Sequence, residues 1–333
     1  MSEIERETSA DGKVGQVDAM KIPRFAGIRT FARLPEAHAV ERPEVAVLGA
    51  PFDGATTFRA GARFGPSGIR EASLLVRPYN EPQAIAPFAA AQVCDGGDAP
   101  ANPVDVIAAH REIERAAASF QGADCRVVGL GGDHSVSLPL LRAAAERHGP
   151  LSLIQFDAHT DTWDSYFGAS LTHGTMFRRA CEEGLIDPRA SIQVGLRGSL
   201  YSDADMAENA ALGFRTVMAR ELDELGVGGV IDAVARTVGP AAYVTVDIDA
   251  LDPAFAPGTG TPEIGGLSSR ELLAMLRGLP GAGTEIVSAD VVEVSPPYDP
   301  AGITALAGAN VAFELISLVI RTRAAAGSGT PGP

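Results

Sequence analysis

Short apolar runs rich in β-branched residues alternate with longer helical stretches along this chain, and the alternation restricts the folds that it can adopt. Strands separated by helices form a mostly parallel sheet, because each connection must bring the chain back to the edge where the previous strand began. Helices must cover both faces of that sheet, since strands that are apolar throughout are buried on both sides. The predicted strands are residues 45–49, 125–130, 151–156, 191–196, 214–218, 243–246 and 286–292, and the predicted helices are residues 104–119, 139–147, 176–183, 230–237, 268–277 and 309–319.

Four polar motifs lie at or near the ends of predicted strands. They are GGDHS at residues 131–135, DAHTD at 157–161, DID at 247–249 and DVVE at 290–293. Ligands of parallel sheets bind beyond the carboxyl ends of the strands, so these motifs are expected to meet at one edge. Burying several carboxylates together is unfavourable unless cations neutralise them. The motifs therefore predict a metal site, and their number favours two ions.

The spacing within the motifs tells which side chains would face the metals. Residues two apart in an extended segment point the same way, so the two aspartates and the histidine of DAHTD converge, and so do the two aspartates of DID. The Gly-Gly turn of GGDHS allows the backbone and imidazole to approach closely. A lone histidine or DxD is usually structural, but the combination favours ligands. The predicted metal ligands are His134, Asp157, His159, Asp161, Asp247 and Asp249.

The donor set restricts the metal and the chemistry. Two imidazoles and four carboxylates without a thiolate suit Mn²⁺ best, with Ni²⁺, Co²⁺, Fe²⁺ and Zn²⁺ as alternatives. Two such ions, roughly 3.5–4 Å apart in proteins of this kind, make a bound water a strong nucleophile at neutral pH. The site therefore predicts hydrolysis rather than redox chemistry or group transfer.

Three further residues near the motifs are candidates for the reaction. His173 could relay a proton to a leaving group, or it could be a loop histidine with a structural hydrogen bond. Glu293 could hold a planar cation in a bidentate pair, or it could be a strand-end acid in solvent. Asp133 is expected to orient His134 or a backbone amide. The Gly- and Pro-rich segments 58–66 and 252–262 either form the rim of a pocket or are ordinary turns.

Composition excludes some functions. The formal net charge is −15 and there is no stripe of Lys and Arg, so nucleic acid and anionic membrane are not expected as partners. The 3 cysteines are widely spaced, which argues against a disulfide framework or a thiolate metal site. No apolar run approaches a membrane span, and the N-terminus lacks the apolar stretch of a secretory signal. We expect a cytoplasmic enzyme with a flexible segment at residues 1–20, one catalytic domain at 21–322 and a disordered tail at 323–333.

Taken together, the motifs resemble those of a known family. GGDHS, FDAHTDT, VDIDALDPAFAPGTGTPEIGGL and DVVEVSP are similar to those of the ureohydrolases (arginase, agmatinase, guanidinobutyrase and relatives), and the similarity runs from about residue 23 to 320. The resemblance implies a three-layer α/β/α fold of the arginase/deacetylase type with a central, mostly parallel eight-stranded sheet. It also implies a binuclear manganese centre that cleaves a guanidine to urea and a primary amine. A single-zinc amide deacetylase or a non-enzymatic role would not need all the motifs intact.

The resemblance also implies roles for individual residues. It makes His173 the proton shuttle and Glu293 the carboxylate that grips the guanidinium, and it places Asp161 in the catalytic group as well as among the ligands. One ion would be held by His134, Asp157, Asp161 and Asp247, and the second by Asp157, His159, Asp247 and Asp249.

The substrate branch depends on residues beside the metal motifs. Arginases carry a small polar residue two positions after the last DAHTD ligand, where this chain has Trp163, so an α-amino-acid head group is not expected. Segments 23–28 and 30–35 are similar to agmatinase and guanidinobutyrase N-termini. Agmatine is the first expectation, giving putrescine and urea, and a guanidino acid is the alternative: 4-guanidinobutanoate, 3-guanidinopropanoate or a proclavaminate-type substrate. The resemblance implies a homohexamer, or a trimer.

Arginines near the predicted pocket bear on this choice. Arg29 stands where a small residue or proline is expected, and at a pocket entrance it would attract a carboxylate tail and repel the amine of agmatine. Otherwise it is a solvated arginine at a subunit boundary. Arg59 and Arg63 raise the same question, but such loops are usual in the family.

Overall fold

The computed structural model describes residues 6–9 and 11–328, and eight parallel strands form its central sheet. A separate antiparallel hairpin precedes this sheet and consists of β1 (Arg6–Thr8) and β2 (Val14–Val17). The strands of the central sheet are β3 (Val45–Ala50), β4 (Val93–Asp98), β5 (Arg126–Gly131), β6 (Ser152–Phe156), β7 (Ile192–Leu196), β8 (Arg215–Met218), β9 (Ala241–Asp247) and β10 (Glu285–Val292).

Helices connect the strands. They are α1 (Gly65–Ala72), α2 (Pro87–Ala90), α3 (Val106–Gln121), α4 (Ser137–His148), α5 (Met176–Glu182), α6 (Ala204–Leu212), α7 (Leu222–Ala235), α8 (Ser269–Gly278) and α9 (Ile303–Ser328). Local sequence explains several ends: Ser268 and Glu271 form a capping box before α8, and Gly149 with positive φ ends α4.

Two apolar layers cover the sheet, and successive residues of one strand enter opposite layers. Val127 packs in the layer that contains residues of α3, α4 and α5, whereas its neighbour Val128 packs in the layer that contains residues of α1, α7, α8 and α9. Tyr243 and Val244 divide in the same way. This alternation is what a sheet buried on both faces requires. The predicted three-layer α/β/α architecture with an eight-stranded parallel sheet is confirmed.

The strand order positions the site. It runs β4-β3-β5-β10-β9-β6-β7-β8, so the four strands that carry the polar motifs, β5, β10, β9 and β6, are direct neighbours at the centre. They are far apart in sequence, and all their pairings are parallel. Their carboxyl ends therefore meet at one edge, as predicted for ligand sites on such sheets.

Sequence reasoning missed or misjudged several elements. Strand β4 was missed because it has apolar residues only at its start and continues into Asp-Gly-Gly-Asp. Within residues 1–20, predicted as a flexible segment, the structure describes the β1–β2 hairpin, which hydrogen bonds between Val14 and the Gln92 side chain anchor to the domain. Likewise α9 extends through residues 323–328 of the predicted disordered tail, while residues 1–5, 10 and 329–333 lie outside the described chain.

The last helix is more apolar than the sequence analysis recognised. Residues 300–326 are long and apolar enough to cross a membrane by length and composition, contrary to the expectation that no run approaches a span. However, 78% of the residues in the most apolar window are buried inside the fold, where α9 packs along β10. Core helices of globular domains show the same composition.

Candidate metal centre

The predicted ligands converge at the carboxyl edge of the sheet. His134 begins a 3₁₀ turn directly after β5, and the two aspartates of DID begin another at the end of β9. The DAHTD motif follows β6. The close approach depends on Gly132, because a Cβ there would overlap the backbone of Phe52. The structure thus brings all six predicted ligands together.

Two groups of ligand atoms can be distinguished. In the first, Nδ1 of His134 lies 3.1 Å from Asp157 Oδ2, 2.9 Å from Asp161 Oδ2 and 3.3 Å from Asp247 Oδ2. All four side chains are buried. In each group the potential ligand atoms lie within 4.8 Å of one another. A single divalent cation fits between one imidazole and three carboxylates of this kind.

The second group shares one aspartate with the first. Nδ1 of His159 lies 3.1 Å from Asp249 Oδ2 and 3.5 Å from Asp157 Oδ1. Asp157 therefore offers one carboxylate oxygen to each group, which is the arrangement of a bridging ligand. The grouping matches the division of ligands implied by the family resemblance except at Asp247, which is grouped with His134 and not with the second set.

Hydrogen bonding leaves Nδ1 of His134 available as a ligand. Thr245 Oγ1 donates its proton to Asp290 Oδ1 at 2.6 Å, so it must accept the proton of His134 Nε2 at 2.8 Å. In the neutral imidazole Nδ1 then carries a lone pair, and this buried atom has no hydrogen-bond partner among the described residues. A lone pair that faces three carboxylates is repulsive unless a cation lies between them. The residues therefore fit a divalent metal.

Burial and mutual repulsion raise the pKa values of two of the clustered carboxyl groups. Burial, followed by the charges of Asp249 and Asp157, raises the pKa of Asp247 well above its usual range. Burial and the charge of Asp157 raise the pKa of Asp161 to about 6. Positive metal ions would favour the charged forms again, since opposite charge close by lowers a carboxyl pKa.

Glu293 and His173 form a hydrogen-bonded pair beside the ligands. Glu293 Oε1 accepts the backbone N–H of His134 and lies 2.9 Å from His173 Nδ1. On the other side of the ring, the Thr57 backbone N–H donates to His173 Nε2 at 3.1 Å. Burial lowers the pKa of His173, but the hydrogen bond and charge of Glu293 outweigh it and raise the pKa to about 9. Glu293 is buried, so the alternative of a solvated strand-end acid is excluded.

Backbone strain coincides with the site. Asp161 has a φ of 53° and Glu293 a φ of 63°, which non-glycine residues adopt at a cost of about 1–3 kcal/mol. Both residues belong to the predicted catalytic group. The surrounding fold holds them in these conformations, which aim their carboxylates inward.

Hydroxyls and amides support the ligands, and sequence reasoning did not assign them. Asp290 is not grouped with the ligands; it accepts hydrogen bonds from Ser137, Tyr243 and Thr245 and so fixes His134 indirectly. Gln155 Nε2 donates to Asp157 Oδ2 at 2.8 Å. The signal was available, because Gln155 and Thr245 are polar residues inside apolar strands, each two positions before a ligand.

Asp133 behaves as expected of a residue that orients backbone amides. Its Oδ2 accepts the N–H of Ala55 at 2.8 Å, and its Oδ1 accepts the N–H of Ser135 at 3.0 Å. Ala55 lies two residues before Thr57, whose backbone N–H donates to His173. Asp133 thus connects the turn after β5 to the histidine.

A cavity of about 620 Å³ opens onto this centre. Trp163 lies in its wall and makes edge contacts with Tyr166 and Tyr201, with ring centroids 5.4 and 6.3 Å apart. The two predicted rim segments contribute residues 58–59 and 261–262, and their neighbours Thr57 and Glu263 also line the cavity, so the rim interpretation is the one that the structure supports. The remaining lining residues include His159, Asp161, His173 and Asp247 from the metal centre.

The arginines singled out from the sequence differ in their surroundings. Arg29 pairs with Glu71 at 3.2 Å and is not among the residues lining this cavity. Arg63 pairs with the buried Asp53. Arg59 lines the cavity, with its Cζ 5.1 Å from the ring centroid of Tyr298.

Comparison with known proteins agrees with this geometry. The sequence profile described as "Arginase family" matches residues 43–317. The chain is 48% identical to a guanidinopropionase of Pseudomonas aeruginosa over 92% of its own length and 96% of that protein. It is 42% identical to a mitochondrial agmatinase of Gallus gallus over 90% of its length and 87% of that protein. The solved structure of a proclavaminate amidino hydrolase from Streptomyces clavuligerus superposes with a TM-score of 0.86 at 42% identity, covering 90% of this chain and 99% of that one.

Proposed function

This chain belongs to the arginase family, and we propose that it hydrolyses a linear guanidino acid to urea and the corresponding amino acid. It is an amidinohydrolase, a hydrolase of C–N bonds, and its family uses a binuclear metal centre. The observation that carries the choice of a guanidino acid is the guanidinium of Arg59, which lies in the wall of the catalytic cavity and forms no ion pair with the described residues.

Behind the cavity-lining His173, the buried Glu293 offers a carboxylate oxygen that suits the guanidine group. Glu293 Oε2 is a buried acceptor without a hydrogen-bond partner among the described residues, while its Oε1 is fully engaged. It lies beside Gly260, where an added Cβ would come within 2.9 Å of it. A guanidinium N–H could pair with this carboxylate oxygen. His173 is held at both ring nitrogens, and it could pass a proton to the departing amine from Nε2 once that atom is protonated and has given up the Thr57 N–H.

Metal ions would supply the nucleophile. Two divalent ions held by the His134 and His159 groups would make a water nucleophilic at neutral pH. We propose Mn²⁺ because the donor set is oxygen-rich with two imidazoles, and Ni²⁺ or Co²⁺ would suit the same ligands. Elemental analysis of protein purified without added metal would test this: about two equivalents of manganese are expected, and a thiophilic metal in their place would contradict the assignment.

The aromatic wall disfavours an α-amino-acid head group. Trp163 packs against Tyr166 and Tyr201 beside His173 and presents an indole where a carboxylate and an ammonium would need polar partners. Leaving both charges without partners in such a pocket is costly. This supports the prediction that the substrate is not L-arginine.

Arg59 provides a partner for a carboxylate tail. Its guanidinium stacks on Phe58 and Tyr298 at 5.5 and 5.1 Å from the ring centroids. No carboxylate of residues 6–9 and 11–328 forms an ion pair with it, although the protein has a large acidic excess. Stacking on aromatic rings holds the Arg59 guanidinium in place but does not neutralise its positive charge. A short guanidino acid with its guanidine at the metals would place a carboxylate toward this side chain.

Agmatine, the first expectation from the sequence, is the second candidate, and Glu263 favours it. The Glu263 carboxylate also lies in the cavity wall, next to Gly198, and has no ion pair within the described chain. It would attract the ammonium tail of agmatine. Arg59 and Glu263 therefore make opposite predictions about the tail of the substrate.

A matched pair of variants separates the two candidates. Arg59→Met and Glu263→Gln would be assayed, with the wild type, for urea release from 3-guanidinopropanoate, 4-guanidinobutanoate, agmatine and L-arginine. We expect the wild type to prefer a guanidino acid, and Arg59→Met to lower kcat/KM for it by about 10–100-fold, mainly through KM, as for a lost hydrogen bond to a charged group. Glu263→Gln should have little effect on that substrate. Preference for agmatine, with selective loss in Glu263→Gln, would contradict the guanidino-acid proposal.

We also propose that the protein assembles as a homo-oligomer, a hexamer or a trimer, in the cytoplasm. Two apolar side chains of α9 are partly exposed, Ile303 at 46% and Leu306 at 38%. Both line one apolar cavity, and Leu306 also lines a second cavity next to it. Exposed apolar patches of this kind favour association. Light scattering should give three or six copies, and Leu306→Asp should lower that number; a monomeric wild type would contradict the proposal.

A further inference from the structure

We infer that Arg197 is a positioning residue that holds the metal-ligand turn of Asp249 and the loop of the cavity wall in one arrangement. The inference rests on the proposed metal site and concerns a side chain outside the predicted ligand and catalytic sets. Arg197 follows β7 and is half-buried between the ends of β6, β7 and β9.

The guanidinium of Arg197 is bound entirely by backbone carbonyls. Every nitrogen of the fork donates to at least one of them. The acceptors are the carbonyl oxygens of Asp249 at 2.6 Å, Glu263 at 2.8 Å, and Gly195, Ala250, Leu251 and Ile264 at 3.2 Å. The shortest two come from a metal ligand and from the cavity wall. One side chain therefore joins the turn that presents Asp249 to the loop that presents Glu263.

The charge of Arg197 is not used for a salt bridge. Within residues 6–9 and 11–328, no carboxylate lies within ion-pairing distance of it. A guanidinium has five N–H donors in a rigid plane, whereas a lysine ammonium has three on a flexible stem. Only the planar fork can satisfy carbonyls on both sides at once. The geometry therefore requires arginine rather than positive charge alone.

The loop that Arg197 holds is closed at its neck. Asp252 N–H donates to Leu267 O at 2.9 Å, and Leu267 N–H donates to Ala250 O at 3.0 Å. The Asp252 carboxylate accepts the N–H groups of Gly265 and Gly266. Between these ends the chain carries residues 261–263 to the cavity. Arg197 crosses this neck and fixes both the ends and the wall.

The same residue also connects to the DAHTD segment, which carries the other ligands of the second group. The Arg197 backbone N–H donates to Ala158 O at 3.0 Å, and the Ala158 N–H donates to Asp249 Oδ1 at 3.1 Å. Ala158 lies between Asp157 and His159. A displaced guanidinium would thus disturb the Asp249 turn and, through Ala158, the neighbouring His159 of the same group, while the His134 group has its own support from Thr245.

The test separates positioning from general destabilisation. Arg197→Met removes the fork, Arg197→Lys keeps the charge, and Gly266→Ala leaves Arg197 intact but places a Cβ against its guanidinium and within 2.6 Å of the Asp252 nitrogen. The matched control is Arg126→Met. Arg126 is a buried arginine at the start of β5 that binds Glu285 and His148, at the opposite edge of the sheet.

Mn²⁺ would be titrated calorimetrically into each metal-free protein, and kcat and KM would be measured after metal loading. We expect Arg197→Met to weaken the lower-affinity Mn²⁺ site by about 10–100-fold, as for other residues that orient ligands, and to raise KM. Arg197→Lys should recover only part of the loss, and Gly266→Ala should reproduce it in milder form. Arg126→Met should lower thermal stability but keep both Mn²⁺ affinities.

Three results would overturn the inference. They are wild-type Mn²⁺ affinity and KM in Arg197→Met, full recovery by lysine, and equal metal loss in the Arg126→Met control. If Arg197→Met does not fold, the Mn²⁺ affinities and KM values of Arg197→Lys and Gly266→Ala are compared with those of the wild type and of Arg126→Met instead. A wild type that binds no Mn²⁺ would overturn the metal site itself, whereas Mn²⁺ binding that is insensitive to Arg197 overturns only its positioning role.

Discussion

The floor and the rim of the catalytic cavity are built in different ways. The floor is buried and consists of strand ends, and its ligands are held by further buried groups such as Gln155, Thr245 and Asp290. The rim consists of loops, and two of its charged side chains, Arg59 and Glu263, have no ion-pair partner in the described chain. A floor fixed by many neighbours preserves one chemistry, whereas a sparsely bonded rim can change substrate without changing the reaction.

The largest expected effect is at the floor, in Asp249→Asn. The amide cannot replace a carboxylate between His159 and the Ala158 N–H, so one metal ion should be lost. Turnover should fall by more than about 100-fold, which is the upper range for residues that act only through a ligand. Metal content and urea release would be measured together. A variant with two ions and normal turnover would refute the ligand assignment.

His173→Asn should come next. It removes the group that could carry a proton but leaves every predicted metal ligand in place, so turnover should fall by about 10²-fold or more with unchanged metal content. The measurement is kcat with saturating Mn²⁺. Full activity would exclude the proton-transfer role and leave the structural interpretation of this histidine.

Glu293→Gln should weaken guanidine binding as well as turnover. The amide would lose the negative charge at Oε2 and disturb the bonds to His134 and His173, so kcat/KM should fall by about 100-fold. The inhibition constant of free guanidinium ion would measure binding of the guanidine group directly. If catalytic efficiency and that constant both stayed unchanged, Glu293 would not contact the guanidine.

Asp290→Asn tests whether the floor depends on residues that touch no metal. Asp290 accepts three hydroxyl protons, and an amide could accept at only one of its two atoms, so Thr245 would no longer hold the His134 tautomer. Mn²⁺ affinity should fall by about 10–100-fold. Ser137→Ala is the matched control, because it removes one donor but leaves the Thr245 chain. Equal effects in both variants would argue against a role through Thr245.

The smallest effect is expected at the rim, in Trp163→Ser. Loss of the edge contacts with Tyr166 and Tyr201 should lower kcat/KM for the preferred substrate by about tenfold or less, since an aromatic pair contributes about 0.5–1.5 kcal/mol. The kcat/KM for L-arginine, divided by the kcat/KM for the preferred substrate, should rise. Phe167→Ser, at a residue 89% exposed, is the control. An unchanged ratio would show that Trp163 does not exclude the amino-acid head group.

The sequence determined the architecture and the floor of the site. Apolar runs with polar motifs at their ends predicted a parallel sheet with six candidate ligands at its carboxyl edge. The period-two argument selected residues that the structure brings together, although Asp249 lies in a 3₁₀ turn and Asp161 has a φ of 53°, so these two are not on extended strand. The same periodicity contained the signal for Gln155 and Thr245, which lie two residues before ligands. Elements with a weak local hydrophobic pattern were missed. Strand β4 and the β1–β2 hairpin are examples, because contacts distant in sequence stabilise them.

The tertiary structure decided which arginines matter. From the sequence, Arg29 was the arginine singled out as a candidate for the pocket entrance, whereas Arg59 and Arg63 discriminated little because such loops are usual in the family. The fold pairs Arg29 with Glu71 and Arg63 with Asp53, whereas Arg59 lies in the cavity wall without an ion-pair partner in the part of the chain that the structure describes. Arg197, unmarked in the sequence, crosses the neck of a loop that begins more than 50 residues later along the chain. Partners so distant in sequence have no local pattern, and only the packed chain determines whether a charge is paired, buried or free.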